Sequence, residues 1–534
     1  MTSKHECRDS GTSCGDMNAV YEMMMKSFWR EIRYKPPIHT SSDALPILTQ
    51  ELIDLIIDFL WDEPVQLARC CLVCRAWYCS ARHHLRRYTI RSSRDLGDLV
   101  EILMSKHNKC YGRALDSLRI EDHPDKPFAH TFPLDWTSAR PHLSFFTHLS
   151  YFSSVTRLSL RRCRLRRADE IWMITRALPG LEVLRLRSIA VESVALDSTS
   201  PPRSPIAVNQ KLREIHLRDY DGCECPLGMC DRQHLASSLL DVLSSYTTVD
   251  TIFLRYTGFL SASEFHSFVY ALPALRNMRI DGDLLPEDLG SPMTPAETVA
   301  LATGVNAGIS WASVHLWQVS SAFASMFFEL FAQQCRKLEE LHIDLLEPPS
   351  SAMVQTISQI LRDSGPALGE FEWSHPGWID AFLPHHVPGR LPPSLSYNAS
   401  LAVLTIDFTS PSSLNMPWVY GTLLSLFTQL GSTHLQSAHV SFLTFHGTDG
   451  SACAITAEAI AAFHAALSRN VFARLSYAAV TFRVSMGSNQ EHASNCVAET
   501  LCTSATVKSF LVPLFSPWLA RGVIALELPD GSRI

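Results

Sequence analysis

The sequence predicts an α/β chain in two parts. A small three-helix module lies near the N-terminus. After it comes a long, irregular solenoid of strand–helix units, with a parallel sheet on the concave side and helices on the convex side. Three observations carry this reading. A motif of the form apolar-x-x-apolar-x-apolar recurs along most of the 534 residues, at steps of mostly 26 to 40. Helical segments separate its copies. Between Leu48 and Trp77, apolar residues cover nearly the whole circumference of a short helix.

The motif is clear as Leu85-Tyr88-Ile90, Leu115-Leu118-Ile120, Val155-Leu158-Leu160, Leu181-Leu184-Leu186 and Leu212-Ile215-Leu217. It continues as Val249-Ile252-Leu254, Leu275-Met278-Ile280, Trp311-Val314-Leu316, Leu338-Leu341-Ile343 and Leu368-Phe371-Trp373. Weaker copies are Leu401-Leu404-Ile406, Leu435-Ala438-Val440, Leu475-Ala478-Val480 and Val523-Leu526-Leu528. The inner pair of each copy has the strand period of two. Helical patterns are clearest over 168–178, 234–246, 262–272, 320–335, 352–363 and 456–470. Two end alike, as Ala-Leu-Pro-Gly-Leu at Ala177–Leu181 and Ala-Leu-Pro-Ala-Leu at Ala271–Leu275; the proline stops the helix and the next strand begins at once. One strand and one helix per unit is the leucine-rich-repeat plan. The steps exceed the usual repeat length and the usual Asn or Cys after the strand is mostly missing, so the array is degenerate. Proline-rich insertions at 123–142, 198–205, 286–295 and 375–393 read as loops along one rim.

In the N-terminal stretch, Glu51, Asp54, Asp58 and Asp62 share one helical face. Leu52, Ile53, Leu55, Ile56, Ile57, Phe59 and Leu60 fill the rest. An ordinary surface helix needs only an apolar stripe. Thr49 can cap the start, and Pro64 suits the first turn of a second helix. So much apolar surface on some forty residues needs a second body to cover it. The stretch resembles an F-box, the adaptor-binding module of SCF-type (Skp–cullin–F-box) ubiquitin ligases. The resemblance rests on Leu48-Thr49-Gln50-Glu51-Leu52, Ile56, Leu60, Leu67 and Val73-Cys74-Arg75-Ala76-Trp77, with Thr49 where the family has proline. It implies that Leu48, Leu52, Ile56, Leu60, Leu67, Val73, Cys74 and Trp77 bind an Skp-type adaptor and, through it, a cullin-RING ligase. F-boxes joined to leucine-rich repeats are a known family arrangement. The expected division is a disordered or weakly helical tail over 1–42, the F-box over 43–84, the solenoid over 85–528 and a short tail over 529–534.

Composition bounds the function. The chain is 46% hydrophobic and 19% charged, as a globular protein is. A net charge of −7 argues against a general nucleic-acid binder. No charged-then-apolar leader and no apolar run of about eighteen residues appears, so a membrane partner is not expected. The fifteen cysteines are odd in number and fit a reducing compartment, cytoplasmic or nuclear, with most of them as small core residues. No catalytic motif is present: neither G-x-S-x-G, nor a Walker loop, H-E-x-x-H or a dinucleotide fingerprint. No catalytic residue and no cofactor is therefore assigned. Cys223, Cys225, Cys230 and His234 have the ligand types for zinc, but their spacing matches no standard finger, and a cysteine-containing surface loop is the simpler reading. His385-His386, among prolines, reads as loop.

Reading the repeats in register gives the expected binding face. With the key apolar residues in the core, the alternating residues face the concave side. The residue after each third apolar position reads Arg161, Arg187, Arg218 and Arg255, then Asp281, Trp317 and Asp344. The neighbouring column reads Ser159, Arg185, His216, Phe253, Arg279, His315, His342 and Glu372. The early face is basic with an aromatic, and the later face acidic. Arginine forks suit carboxylate and phosphate. Arg161, Arg185, Arg187, Arg218, Phe253, Arg255 and Arg279 are therefore the expected site for a client with an acidic or phosphorylated segment; a solvated, internally paired basic face is the competing reading. The chain then reads as a non-catalytic substrate receptor of the ligase. The alternative is a scaffold that binds the adaptor without a degradation target. An enzyme with a cryptic site in the solenoid has no motif behind it.

Overall fold

The computed structural model describes residues 49–60, 64–70, 73, 77, 80–81, 87–90, 115–121, 149–165, 167–191, 209–218, 237–255, 259, 261–282, 310–376, 393–414, 416–448, 455–486 and 496–534. The chain divides into two compact units, Met1–Ala81 and Arg82–Ile534. Most of the residues read as proline-rich insertions, the cysteine cluster at 223–230, His234, His385 and His386, and the N-terminal segment 1–42 lie outside the described residues.

In the first unit, helices span Gln50–Phe59 and Pro64–Cys70. Pro64 stands at the first helical position, where its missing N–H costs nothing and its fixed φ suits the helix. Ile53, Ile57, Leu67, Cys70 and Ala81 are buried. The Asp54 carboxylate accepts a hydrogen bond from the Ser80 hydroxyl, joining the first helix to the chain beyond the second.

The second unit is built on one sheet of fourteen strands. The strands are β1 (Arg87–Ile90), β2 (Ser117–Glu121), β3 (Arg157–Arg161), β5 (Val183–Arg187), β7 (Glu214–Arg218), β8 (Thr251–Arg255) and β9 (Asn277–Asp281). They continue as β10 (Ser313–Val319), β11 (Glu340–Leu345), β12 (Glu370–Pro376), β13 (Val403–Leu414), β14 (Ser437–Thr448), β15 (Val480–Met486) and β16 (Ile524–Glu527). Two short strands, β4 (Arg164–Leu165) and β6 (Ala190–Val191), form a separate parallel pair. Every strand of the large sheet neighbours the next in sequence, and the pairs are parallel. Strictly sequential parallel order is what a solenoid requires; a doubly wound sheet would reverse direction. Each of the fourteen motif copies contributes one strand. The inward residues of adjacent strands pair directly, as Leu158 with Leu184, Leu184 with Ile215 and Ile215 with Ile252. They are buried in one continuous core with the apolar faces of the connecting helices.

The entrances to the strands of the large sheet from β3 to β14 are stitched the same way. The N–H groups of Glu182 and Val183 both donate to the Thr156 carbonyl, and those of Arg213 and Glu214 to Glu182. The same forked bond recurs at Asp250–Thr251, Arg276–Asn277, Gly369–Glu370 and Ala402–Val403. Three residues before the first apolar position, several copies carry a plug. It is apolar and fully buried at Phe152, Leu178, Leu272, Cys335 and Phe472. Where it is polar it binds carbonyls. The Asn398 amide reaches those of Leu361 and Gly365 at 2.8 and 3.0 Å, and Asn209 reaches those of Leu178 and Leu181 at 3.1 and 3.3 Å. The asparagine missing after the strand is thus used, in two repeats, before it.

Helices occupy the segments read as helical, for example Glu170–Ala177, Ala262–Tyr270 and Ser351–Ser364. Ser261, Ser320, Ser350 and Thr456 cap four of them with side-chain oxygens. Two further helices, Met416–Gln429 and Cys496–Ala520, were not anticipated. The second contains Pro513 and Pro517, a residue type that ordinarily breaks a helix. Pro517 cannot donate to the Pro513 carbonyl four residues back, but His464 Nε2 (2.9 Å) and the Ser516 hydroxyl (3.2 Å) lie within hydrogen-bond distance of that oxygen.

The last two copies also need correction. Ala438 pairs with Val480 and Val480 with Ile524, so the strands begin two residues after Ala478 and two before Leu526. Ala478 is left-handed (φ 52°), and Tyr477, in the first apolar position of the true register, is 86% exposed. Position 435 onward, read as weak, carries a twelve-residue strand. At the C-terminus the backbones of Leu526 and Ile534 exchange hydrogen bonds, so residues 529–534 turn back along β16.

Candidate functional site: a helix face and the open face of the sheet

On the helix Gln50–Phe59, the inward positions are Ile53 and Ile57, four apart. The opposite positions Leu52, Leu55, Ile56 and Phe59 follow i, i+3, i+4, i+7 and are all exposed, Phe59 to 78%. Val73 is exposed too, Leu60 and Trp77 are half-buried, and Leu67 is in the core. The expected adaptor residues therefore split: Leu52, Ile56 and Val73 face outward, while Leu67 holds the module together. Leu55 and Phe59 join the outward set without having been singled out. Leu48 and Cys74 lie outside the described residues.

On the sheet face opposite the helices, the arginine column is real in register. Arg161 pairs with Arg187, Arg187 with Arg218 and Arg218 with Arg255. Adjacent strands lie about 4.8 Å apart, where two like charges repel by about 0.9 kcal/mol in bulk water. The column relieves this at its ends. Arg161 makes a 2.9 Å ion pair with Glu121, its register partner on β2, and Arg255 a 2.8 Å pair with Asp281 on β9. The sequence reading missed the Glu121 bracket. It was legible as the matching position of the preceding copy.

The second column runs Ser159, Arg185, His216, Phe253, Arg279, His315, His342 and Glu372, each paired with the next. All seven residues assigned to client binding share this open face. Glu214 and His216 are bonded to each other on β7. The bond to His216, with the positive charge of Arg185 and Arg279, holds the Glu214 carboxyl below its ordinary range. Phe253 touches His216 (ring centroids 5.3 Å) and Trp317 (6.4 Å), giving an aromatic patch inside the basic field.

Beyond Trp317 the face changes sign. His315 and His342 stack with centroids 3.9 Å apart and planes within 10°. Around them lie Glu340, Glu370 and Glu372, the last at 2.8 Å from His342 Nδ1. Asp344 follows, its carboxyl pushed up by burial and by the charges of Glu372 and Asp407. The face can therefore hold an extended partner electrostatically, basic strands against its acidic part and acidic strands against its basic part.

Three residues immediately after this face, Arg162, Ser188 and Gln318, are left-handed without being glycine (φ 51° to 56°). Two of them donate to the next strand's last carbonyl: Arg162 N–H to Arg187, Ser188 N–H to Arg218. That fixes the ends of β3, β5 and β7 relative to one another, and so the position of Arg161, Arg187 and Arg218.

No family model matches the sequence, and no curated protein matches it. Among solved structures, the crystal structure of a TLR13–ssRNA13 complex is similar over 76% of this chain and 50% of that chain, at 13% identity and a TM-score of 0.31. This chain spans half the length of the matched one. A likeness of that size carries no argument about ligand or family, and the solenoid rests on its own strand order. Among the described residues, no helix is long and apolar enough to cross a membrane.

Proposed function

We propose that this chain is the substrate-receptor subunit of an SCF-type ubiquitin ligase. Its module at 43–84 docks an Skp-type adaptor, and the open face of the solenoid holds a client protein. The observation that supports this most is the row Leu52, Leu55, Ile56 and Phe59, exposed on a helix whose other apolar residues already form a core. Such a row is costly in water and serves as a contact surface; covering one leucine fully contributes about 1.5–3 kcal/mol. The receptor does no bond chemistry. It raises the effective concentration of the client beside the ligase's catalytic subunits.

The test is the double variant Leu52→Asp, Ile56→Asp in the full chain. Both positions are exposed, so the module's own core is untouched. Capture of the adaptor should be lost while the thermal unfolding of the solenoid stays as in the wild type. Undiminished adaptor capture would overturn the assignment. Cullin and ubiquitinated clients in the wild-type pull-down distinguish a ligase receptor from a scaffold that carries only the adaptor.

A further inference from the structure

The geometry points to a divalent-cation site of zinc type formed by His315, Glu340 and His342, bridging β10 and β11. Their ligand atoms all lie within 4.8 Å of one another. His315 and His342 are direct register partners on adjacent strands, and Glu340 is two residues before His342 on the same face. This is the short-range placement by which a sheet converges three ligands without a loop. Two imidazoles and a carboxylate form a donor set that zinc takes, with a fourth position left over.

Two further observations point to a ligand. Both imidazoles are more than nine-tenths buried, and each has a nitrogen with no hydrogen-bond partner: Nδ1 of His315 and Nε2 of His342. Leaving such groups unsatisfied is costly unless something binds them. Glu372 then has a defined part. Its carboxylate at 2.8 Å from Nδ1 accepts that N–H, which puts the lone pair of His342 on Nε2. A carboxylate behind a histidine is the usual outer support of a zinc ligand. Glu370 Oε1, 3.4 Å from His342 Nε2, offers one more oxygen.

The charge balance favours a cation. Glu340, Glu370 and Glu372 surround the pair, against one opposing charge, Arg279, the register partner of His315 on β9. The stacked rings have to turn about their Cβ–Cγ bonds for both lone pairs to meet one ion. That torsion is broad for histidine, and the strands need not move.

The experiment titrates the chelator-stripped full chain with Zn²⁺ alone by calorimetry, and with Co²⁺ by absorption. The wild type should bind one more equivalent than His342→Ala or Glu340→Gln, and the Co²⁺ spectrum of that equivalent should be tetrahedral without thiolate charge-transfer bands. Glu372→Gln should weaken the site by about 10- to 100-fold, as losing an outer support does. Glu340 is partly exposed, so Glu340→Gln keeps the test valid if His342→Ala fails to fold; its metal-free thermal transition should match the wild type. Equal stoichiometry in wild type and variants, thiolate bands alone, or no zinc uptake at millimolar concentration would overturn the site.

Discussion

At the scale of residues, the open face divides its arginines by environment. Arg161 and Arg255 pair with Glu121 and Asp281 at the two ends of the column, and Arg187 and Arg218 occupy its middle. Reversing the middle two changes the sign of the column at its centre. Arg187→Glu with Arg218→Glu should reduce client capture at least about 10-fold, the loss of one charge-assisted hydrogen bond or more, while adaptor capture is kept. Added salt should weaken client capture by the wild type, because part of the attraction is screened. An unchanged set of co-purifying clients would remove the open face from recognition. A different residue sets a pH dependence. His266 is buried against Tyr270 and Phe331, and burial pushes its imidazole below the ordinary value near 6.5. The unfolded chain then binds more protons than the folded one in the window between the folded value and 6.5. Stability is full above that window and falls as pH falls through it. Replacing His266 with Phe should flatten this acid limb in thermal melts between pH 7 and 5.

At the scale of elements, the turns before the strands are tight enough to dictate residue type. A Cβ on Gly180 would stand 2.8 Å from the Ser153 carbonyl oxygen, which is backbone and cannot swing away. Gly180→Ala should therefore cost about 1–3 kcal/mol in denaturant unfolding, the usual range for overpacking. Far along the chain, Arg469 closes the helix Met416–Gln429. Its Nη1 lies 2.7 Å from the carbonyl oxygens of both Phe427 and Thr428, groups that the end of a helix leaves without intrahelical partners. Arg469→Ala should destabilise by about 1.5–3 kcal/mol, with hydrogen exchange rising first in the last turn of that helix. Exchange no faster there than in the wild type would show that water serves those carbonyls equally well.

At the scale of the whole molecule, the second unit is an array in which each strand pairs only with its sequence neighbours. Stability then resides in the repeats and the interfaces between neighbours, along a core that runs from one repeat to the next. Leu184 is fully buried between Leu158 and Ile215, and Leu184→Ala should cost about 2–5 kcal/mol. In such an array the loss stays local. Hydrogen-exchange protection should drop in β3, β5 and β7 and hold in β13 to β15. A uniform loss across all fourteen strands would mean the unit unfolds as one body. The same one-dimensional build gives the open face its polarity, since each strand adds one row: arginines over β3 to β9, carboxylates over β11 to β13.

Where local chemistry is decisive, the sequence by itself determined which residues face in and where twelve of the fourteen strands begin their inward pairs. Alternation along a strand has period two, so Leu184 and Leu186 cannot leave the core without turning Arg185 and Arg187 into it. That is why the seven proposed client residues were legible as one face. It failed where a distant partner overrides a local signal. The helix Cys496–Ala520 passes through two prolines, with His464, from another repeat, beside the Pro513 carbonyl freed by Pro517. The register at Ala478 shifted by two because the left-handed turn there bonds to Gly522, more than forty residues on. Glu340 and Glu121 acquired roles only through strand pairing, as a partner for His315 and for Arg161. Inward and outward are properties of one strand. Which outward side chains meet depends on the register between strands, and only the folded chain sets that.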